Sequence, residues 1–477
     1  MNISIKLLKL NISLLTFLVM SLSLEAEPKK AHIKNILFIV ADDLKASVLG
    51  TYGDKVCKTP NIDKLAEQSL VFDRAYCQGV VCGPSRTSFM HSRYRGSLGT
   101  NLAEHFKNNA WYTARVGKIY HMRVPYDIIN GTDGQDIASS WTERFNSSGR
   151  EAHTPGDYAC LNLNIFTDKL EHRESTKMPN RMFVSVSYEG DGSDQPDYKS
   201  ASKTIELLNK HKDKPFFIAT GLVRPHYPNV APKQYFEPYP WEKIELPEIY
   251  KNDLADIPKM GRAKTMNSSN PIGKYIDNQK RMWSAYYATV QFMDEQVGRI
   301  LDELERLGLR ESTAIVFLSD HGYHLGEHGF WQKQNLHEEV TRVPLMIYVP
   351  GMKAGRTQAL TELVDIYPSL TTLLGIETPK EVQGKSFLPL LEHNNKTIRN
   401  EALSLLSSAK GYSIRTDTYT YIRYKDMSEE LYNMNKDPKQ FKNLSKNPEY
   451  RPVLEKLRIQ FDLRLKQEGL NKPAKKK

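Results

Sequence analysis

The sequence predicts an α/β fold: a large mixed or parallel sheet covered by helices, followed by a smaller C-terminal α+β subdomain. Three observations lead to this prediction. Five apolar runs are continuous rather than alternating, as in strands buried on both faces. Helical patterns separate these runs, which is typical of a sheet that carries helices on both faces. After about residue 392 the pattern changes to alternating segments that are rich in tyrosine and threonine.

The predicted strands of the large sheet are short and rich in β-branched or aromatic residues. In chain order they are NILFIVA (35–41), YTARV (112–116), PFFIATG (215–221), TAIVFLS (313–319) and VPLMIYV (343–349). The fold class rests on these five runs, of which the second is the weakest.

The helices between the strands have recognisable ends. Thr59 is a plausible N-cap with Pro60 at the first helical position, and a second helix covers 195–211. The longest covers 282–308, where Gly308 ends it, and Asp365 opens a helix that Gly375 closes. The apolar face of the longest helix consists of Val290, Met293, Val297, Ile300, Leu301 and Leu304.

Three segments of the chain are predicted to have separate roles. Residues 1–23 contain Lys6, Lys9 and an apolar run, which is the pattern of a secretory signal peptide. The alternative is an uncleaved anchor helix, although the run is short for a membrane span. Residues 31–392 form the predicted catalytic domain. Residues 393–477 form the C-terminal subdomain, with an antiparallel sheet at 411–424 and a terminal helix.

The N-terminal segment indicates where the protein acts, and the net charge indicates which kind of partner it binds. The segment predicts export to the periplasm or the medium, or to a lysosomal type of compartment in a eukaryote, with no membrane span after cleavage. The formal net charge of +10 reflects solubility and a basic tail, or attraction to a polyanion. We find no nucleic-acid motif and expect no nucleic-acid partner, so an acidic glycan fits better.

Charged and titratable side chains follow four of the predicted strands. Because ligands bind beyond the carboxyl ends of strands in open α/β sheets, this pattern predicts one shared site. Carboxylates suit Ca²⁺ or Mg²⁺, Lys and Arg hold a tetrahedral anion, and histidine transfers protons near neutrality. The residues are Asp42 and Asp43 after the first strand, Lys118 and His121 after the second, His226 after the third, and Asp320 and His321 after the fourth.

The stretch VVCGPSRTSF places Cys82 beside this set. Four cysteines in an exported chain favour two disulfides, and their spacing matches no zinc site. However, Pro84 predicts a helix that begins just after Cys82, and a helix N-terminus attracts anions. Arg86 lies one turn further on. Position 82 is therefore predicted to carry a nucleophile at an anion site, and physical chemistry alone predicts a thiolate.

The pentad Cys-Gly-Pro-Ser-Arg at 82–86 resembles the signature of the type I, formylglycine-dependent sulfatases. Further motifs extend the resemblance over about residues 34–424, and their order is similar to that of the iduronate-2-sulfatase subfamily. They are ADDLKASVLGTYGD, TPNIDKLA, VGKIYH, RPHYP, SDHGYHLGEHGFWQK, VPLMIYVPG and GYSIRT. The resemblance implies an alkaline-phosphatase-like sulfatase fold and a sulfuric ester hydrolase.

The resemblance also implies roles for individual residues. A maturing enzyme, of either the formylglycine-generating or the anaerobic sulfatase-maturating type, converts Cys82 to formylglycine. Ca²⁺, rather than Mg²⁺, binds at Asp42, Asp43, Asp320, His321 and the modified Cys82. Arg86 holds the hydrated aldehyde. Lys118, Lys333 and His226 bind sulfate, and His121 is the base that releases it. His226 or Lys333 protonates the leaving sugar oxygen.

The implied substrate is a sulfated, uronic-acid-containing polysaccharide or oligosaccharide, either an animal glycosaminoglycan or an algal polymer such as ulvan. After the pentad the chain reads MHSR, where the family often has Leu-Thr-Gly-Arg. Tyr323, His324 and Trp331, with His153 and Lys410, are expected to face the sugar. A phosphate or phosphonate monoester hydrolase is the alternative enzyme, and a polyanion-binding protein without catalysis is the third. If Cys82 is converted, Cys57 and Cys77 are expected to pair across the first helix.

Overall fold

The computed structural model describes residues 33–173, 177–262 and 266–471. The predicted signal peptide lies outside the described residues. The α-helices are α1 Pro60–Glu67, α2 Cys82–His91, α3 Leu102–Asn108, α4 Tyr126–Asn130, α5 Pro196–His211, α6 Ile276–Arg306, α7 Glu338–Thr341, α8 Ile366–Leu373, α9 Leu388–Glu392 and α10 Arg451–Gln467. None of the helices described is both long enough and apolar enough to cross a membrane.

The strands fall into one large sheet, two four-stranded sheets and smaller pairings. In chain order they are β1 Asn35–Asp42, β2 Leu70–Phe72, β3 Ala75–Tyr76, β4 Tyr112–Gly117, β5 Glu143–Phe145, β6 Asp157–Cys160, β7 Ile165–Thr167, β8 Val184–Tyr188, β9 Phe216–Pro225, β10 Asn229–Pro232, β11 Thr313–Ser319, β12 His324–Leu325, β13 Trp331–Gln332, β14 Arg342–Val343, β15 Leu345–Tyr348, β16 Gly355–Thr357, β17 Thr361–Glu362, β18 Glu401–Leu406, β19 Gly411–Thr416, β20 Tyr419–Tyr424 and β21 Glu429–Asn433.

The large sheet is mixed, with strand order β16-β2-β15-β11-β1-β9-β4-β5. Strands β11, β1, β9, β4 and β5 run parallel, as the continuous apolar runs predict. The fifth predicted strand, β15, is present but pairs antiparallel with β11. The sequence pattern of a buried strand does not encode its direction, since both faces are covered either way. The α/β fold class is confirmed.

Helices cover both faces because alternate residues of β1 point into two different cores. Leu37 and Ile39 belong to a core that includes residues of α1, α5 and α6. Phe38 and Val40 belong to a second core with residues of α2, α3 and α8. In α6, the predicted apolar face is buried except for Leu301, which is partly buried, and the chain leaves the helix at Gly308 with a φ of 67°.

The C-terminal part has its own antiparallel sheet, in the order β18-β19-β20-β21, against which α10 packs. This sheet joins the large domain at the segment before α2, where the backbone N–H of Leu405 donates to the carbonyl of Gln78 at 3.1 Å. A buried hydrogen bond of 2.7 Å between Nε2 of His337 and a carboxylate oxygen of Glu430 adds a second connection. The smaller subdomain therefore contacts the loop that leads to Cys82.

The cysteines do not form the predicted bridge. Cys57 and Cys77 are both buried with free thiols. Their sulfur atoms lie beside different backbone carbonyls, those of Tyr287 and Val340. Cys57 belongs to the core on one face of the large sheet and Cys77 to the core on the other, so the sheet separates the two thiols. The expectation of a Cys57–Cys77 disulfide is wrong.

Candidate active site

The carboxyl ends of the parallel strands bring the predicted residues together at one edge of the large sheet. Strand β1 ends at Asp42, β4 leads to Lys118, β9 leads to His226, and β11 leads to Asp320 and His321. All five side chains are buried. Such a concentration of charge inside a protein is costly unless the groups pair with one another, and they do.

Arg86 joins the acidic ends of two strands. Its Nε donates to Oδ2 of Asp320 at 2.8 Å, and its Nη2 donates to Oδ1 of Asp42 at 3.1 Å. Its Nη1 donates to the backbone carbonyls of Lys118 and Ile119. The guanidinium therefore satisfies its donors within the protein, and its role is to hold the carboxylates in place.

Two lysines from distant parts of the chain contact neighbouring carboxylates of this cluster. Lys118 forms an ion pair with Asp42, and Nζ of Lys333 donates to Oδ1 of Asp43 at 2.5 Å. Burial alone would raise the pKa of Asp42, but Lys118 and Arg86 outweigh it and hold that pKa well below its usual value. Burial raises the pKa of Asp43 despite Lys333. Asp43 is therefore less well compensated than Asp42.

Cys82 is the first residue of α2, whereas the prediction placed it just before the helix, and its side chain points into this cluster. Its sulfur lies 3.1 Å from Nζ of Lys333 and 3.4 Å from Nε2 of His321. Burial, reinforced by the charge of Asp42, raises the pKa of the Cys82 thiol well above its usual value. This raised pKa disfavours a thiolate at the unmodified side chain.

The carboxylates fit a hard divalent cation. Single oxygen atoms of Asp42, Asp43 and Asp320 lie within 4.8 Å of one another, and so do ligand atoms of Asp43, Cys82 and His321. Oδ2 of Asp43 is buried and has no hydrogen-bond partner in the described part of the chain. An oxygen-rich donor set of this kind suits Ca²⁺ or Mg²⁺. The residues therefore fit the predicted ion.

Charge balance supports the same conclusion. Three carboxylates, of Asp42, Asp43 and Asp320, face three cations, Arg86, Lys118 and Lys333. These six groups sum to zero when ionised, so a divalent cation would give the cluster a charge of about +2. A net positive, water-poor pocket is what an anionic ester requires.

Two histidines border the cluster. Nδ1 of His226 donates to the carbonyl of Tyr227 at 2.5 Å, and its Nε2 lies 3.7 Å from Oδ2 of Asp43. Burial and Lys118 lower the pKa of His226 well below its usual value. Burial, with Lys118, lowers the pKa of His121 to about 4, and Nδ1 of His121 has no partner among the described residues. Burial therefore disfavours the protonated form of both rings.

A cavity of about 790 Å³ opens above Cys82. Cys82, His121, His226 and Lys333 contribute to its wall. Sequence reasoning missed the rest of the wall, which includes the pocket-lining arginines Arg93, Arg95, Arg123 and Arg181 and the loop residues Ser407, Ser408 and Ala409. The basic stretch SRYR, directly after α2, was the available signal for two of these arginines.

The structure does not bring the expected sugar-facing residues to this cavity. Tyr323 is buried and stacks on Tyr286. His324 is buried beside Asn335, and Trp331 packs edge-on against Phe183. His153 and Lys410 are exposed but do not belong to the cavity wall.

At the carboxyl edge of the α/β sheet, this cluster offers oxygen ligands for a divalent cation and positive charge for an anionic ester. The chain belongs to the sulfatase family, whose sequence profile matches residues 34–376. A second profile, that of the C-terminal region of N-sulphoglucosamine sulphohydrolase, matches residues 326–467. The protein is therefore a sulfuric ester hydrolase.

Individual relatives support this assignment. A sulfatase of Formosa agariphila is 29% identical over 459 residues, covering 90% of this chain and 86% of that protein. Human iduronate 2-sulfatase is 33% identical over 413 residues, covering 74% of this chain and 71% of the human protein. The solved structure of a phosphonate monoester hydrolase of Agrobacterium radiobacter has a TM-score of 0.75 at 20% identity, covering 91% and 96% of the two chains, and shows the shared fold.

Proposed function

We propose that this enzyme is an exported sulfatase that hydrolyses a sulfate ester of a sulfated, uronic-acid-containing glycan, with a formylglycine made from Cys82 as the nucleophile. One observation carries the proposal. Cys82 starts a helix on the floor of the cavity, with Lys333 at 3.1 Å and His321 at 3.4 Å from its sulfur. A nucleophile at this position faces both the candidate metal ligands and the open cavity.

Conversion of Cys82 fits its surroundings better than a free thiol does. Because burial raises the pKa of the thiol, an unmodified Cys82 would be protonated and weakly nucleophilic at neutral pH. A hydrated formylglycine supplies a hydroxyl nucleophile together with a second hydroxyl that allows the sulfate to be released. Asp42, Asp43, Asp320 and His321 would hold Ca²⁺, which supplies positive charge to the sulfate.

The remaining polar residues have distinct proposed roles. Lys118 and Lys333 bind the sulfate oxygens, since both ammonium groups border the carboxylate cluster. Although burial alone would lower it, contact with Asp43 holds the pKa of Lys333 well above its usual value. Lys333 therefore keeps a proton that it can donate to the leaving sugar oxygen.

The histidines suit proton acceptance. His226 uses Nδ1–H for the carbonyl of Tyr227, so its neutral ring presents the lone pair of Nε2 to the site. We therefore assign leaving-group protonation to Lys333 and a hydrogen-bonding role to His226. His121, neutral above a pKa of about 4 and without a partner at Nδ1 in the described chain, is the proposed base.

Two observations support an anionic glycan as the substrate class. The relative in human is named for iduronate 2-sulfate, and the cavity wall of this chain is basic. Glycosaminoglycans and ulvan-type polymers both meet this description. The predicted signal peptide supports action outside the cytoplasm, where such polymers occur, and a maturing enzyme would act on Cys82 before folding.

A phosphonate or phosphate monoester hydrolase is the second candidate, because a solved enzyme of that class shares the fold over 91% of this chain. The ratio of the hydrolysis rates of 4-nitrophenyl sulfate and phenyl phosphonate separates the two. We expect sulfate hydrolysis to dominate, and a dominant phosphonate rate would reverse the assignment.

The nucleophile is tested by expressing the full chain with a formylglycine-generating enzyme. Mass spectrometry of the peptide containing Cys82 should show an aldehyde or its hydrate, and Cys82→Ala should abolish hydrolysis of 4-nitrophenyl sulfate. Cys160→Ala removes another buried thiol, in the sheet that contains β6, and should keep activity. Full activity of Cys82→Ala, or an unmodified thiol in active enzyme, would sink the proposal.

A further inference from the structure

The cavity wall carries more positive charge than one sulfate needs. Lys333 lies on its floor, and four arginines line the wall above. None of the described residues that line the cavity is an aspartate or a glutamate. The carboxylates of the site lie below, in the buried cluster around Cys82, and are paired there. The arginines of the wall therefore add positive charge that these carboxylates do not pair.

The four arginines differ in how they are compensated. Arg123 forms a two-point ion pair with Asp127, at 2.9 and 3.1 Å, so its charge is already matched. By contrast, Arg93, Arg95 and Arg181 have no ion pair with any carboxylate of the described chain. We call these three residues the arginine wall.

The contacts of the arginine wall leave donors available. Arg93 donates from Nη1 to the backbone carbonyl of Glu381 at 2.6 Å, and Arg95 contacts the hydroxyl of Tyr412. Arg181 stands over the ring of Tyr126 at 5.9 Å, a cation–π contact that leaves its N–H groups unused. Nε of Arg93 and Nε of Arg181 are both buried atoms without a partner among the described residues.

A buried donor without an acceptor is costly, so an anionic group in the cavity would stabilise Nε of Arg93 and Nε of Arg181. Guanidinium groups bind carboxylate and sulfate oxygens through paired, charge-assisted hydrogen bonds. We propose that Arg93, Arg95 and Arg181 form a second anion subsite, which binds a carboxylate or a further sulfate of the glycan while the scissile sulfate lies at Cys82. This inference rests on the proposed sulfatase function and specifies its substrate as a unit with at least two negative charges.

The proposed subsite predicts a preference for substrates with two anionic groups, which an assay with an aryl sulfate cannot detect. Such a substrate carries a single anionic group, which occupies the pocket at Cys82. A uronate-containing disaccharide carries a second group, which the arginine wall would bind. Loss of one wall arginine should therefore weaken the binding of the glycan more than the binding of 4-nitrophenyl sulfate.

The test measures competition with 4-nitrophenyl sulfate in the matured full-length enzyme. Three competitors are compared: a monosulfated uronate disaccharide, the same disaccharide with its carboxyl group reduced to an alcohol, and the reduced form with a second sulfate. We expect the wild type to bind the reduced form about tenfold more weakly than the uronate. Restored binding by the third competitor would show that sulfate also fills the subsite, and no restoration would restrict it to carboxylate.

In the variants Arg181→Gln and Arg95→Gln, the preference of about tenfold for the uronate over its reduced form should disappear. Arg451→Gln, which removes one charge from an exposed position of α10, is the matched control and should keep it. Equal binding of the uronate and its reduced form by the wild type, or an unchanged preference in both variants, would overturn the subsite. If the matured enzyme hydrolyses no aryl sulfate, the proposed function fails, and calorimetric titration with the same competitors still decides the subsite.

Discussion

The ammonium nitrogen of Lys333 lies 3.1 Å from the sulfur of Cys82. Lys333 comes from the loop after β13, whereas Cys82 starts α2, so two distant parts of the chain meet at the reacting position. The same ammonium contacts Asp43. A lysine that touches both the nucleophile position and a metal-ligand candidate can act on the sulfate and on the leaving group.

Lys333→Gln should therefore lower kcat/KM for 4-nitrophenyl sulfate by about 10²–10³-fold, the loss typical of one charge-stabilising donor. Steady-state kinetics of the matured variant measures this effect. Lys353→Gln, at an exposed position outside the cavity wall, serves as the control. A loss smaller than about threefold would contradict a direct role for Lys333.

Arg86 should matter for stability as well as for activity. Removing one partner of a buried ion pair leaves an uncompensated charge, so Arg86→Gln should lower the free energy of unfolding by about 3–5 kcal/mol. Urea denaturation measures the loss. In the double variant Arg86→Gln/Asp320→Asn the losses should be less than additive, because the two side chains share a hydrogen bond of 2.8 Å. Strict additivity would count against this coupling.

Metal removal should destabilise the fold. If Ca²⁺ binds Asp42, Asp43 and Asp320, saturation at 100 times Kd stabilises the protein by about 2.7 kcal/mol. Thermal melting with Ca²⁺, with Mg²⁺ and with a chelator measures the shift in Tm. Asp43→Asn should remove the Ca²⁺-dependent shift, whereas Asp417→Asn, at an exposed position, should keep it. A Tm that is the same with Ca²⁺ and chelator would argue against the ion.

The contact between the two parts of the fold should weaken in acid. Burial alone would raise the pKa of Glu430, but His337 and two tyrosine hydroxyls hold it below its usual value. A carboxyl whose pKa is lowered by folding stabilises the protein above its unfolded pKa of about 4.3, and this stabilisation is lost as the pH falls through the folded value. The Tm difference between the wild type and Glu430→Gln should therefore be present at pH 6 and shrink below pH 4.3. A difference that stays constant down to pH 3.5 would contradict this account.

Gly221 lets β9 pass close to Lys118, which is one of the sulfate-binding candidates. A Cβ at this position would lie 2.0 Å from the carbonyl oxygen of Lys118, which is backbone and cannot move freely. Gly221→Ala should therefore displace Lys118 and reduce both the Tm and kcat/KM. Gly83→Ala, where the nearest atom is a Gln135 side-chain oxygen at 3.4 Å, should disturb the fold far less. Equal Tm values for the two variants would show that the close approach is unimportant.

The sequence alone predicted the residues that follow parallel strands, because strand ends fix where such residues lie. Asp42, Lys118, His226 and Asp320 meet at one edge for this reason. The direction of β15 was not predictable, since an apolar run is the same in both directions. Lys333 lies a short loop beyond Asp320, which suggested that it could join the site but could not predict its contact with Cys82.

Side-chain direction outside regular elements explains the remaining differences. Three expected sugar-facing residues come after β11 in the chain, namely Tyr323, His324 and Trp331. Packing against other elements buries all three side chains. Arg93, Arg95 and Arg181 come from two distant segments and share a cavity only in the folded chain. The local sequence around each arginine therefore cannot predict that the three side chains share a cavity.

The hairpin between β18 and β19 has a further consequence. Ser407, Ser408 and Ala409 line the cavity, yet they belong to the C-terminal sheet rather than to the sheet that presents Cys82. Substitutions in this hairpin would therefore change the cavity wall without replacing any of the charged groups around Cys82. Such a division gives an enzyme lineage two regions that can diversify separately, one that carries out the reaction and one that shapes the cavity.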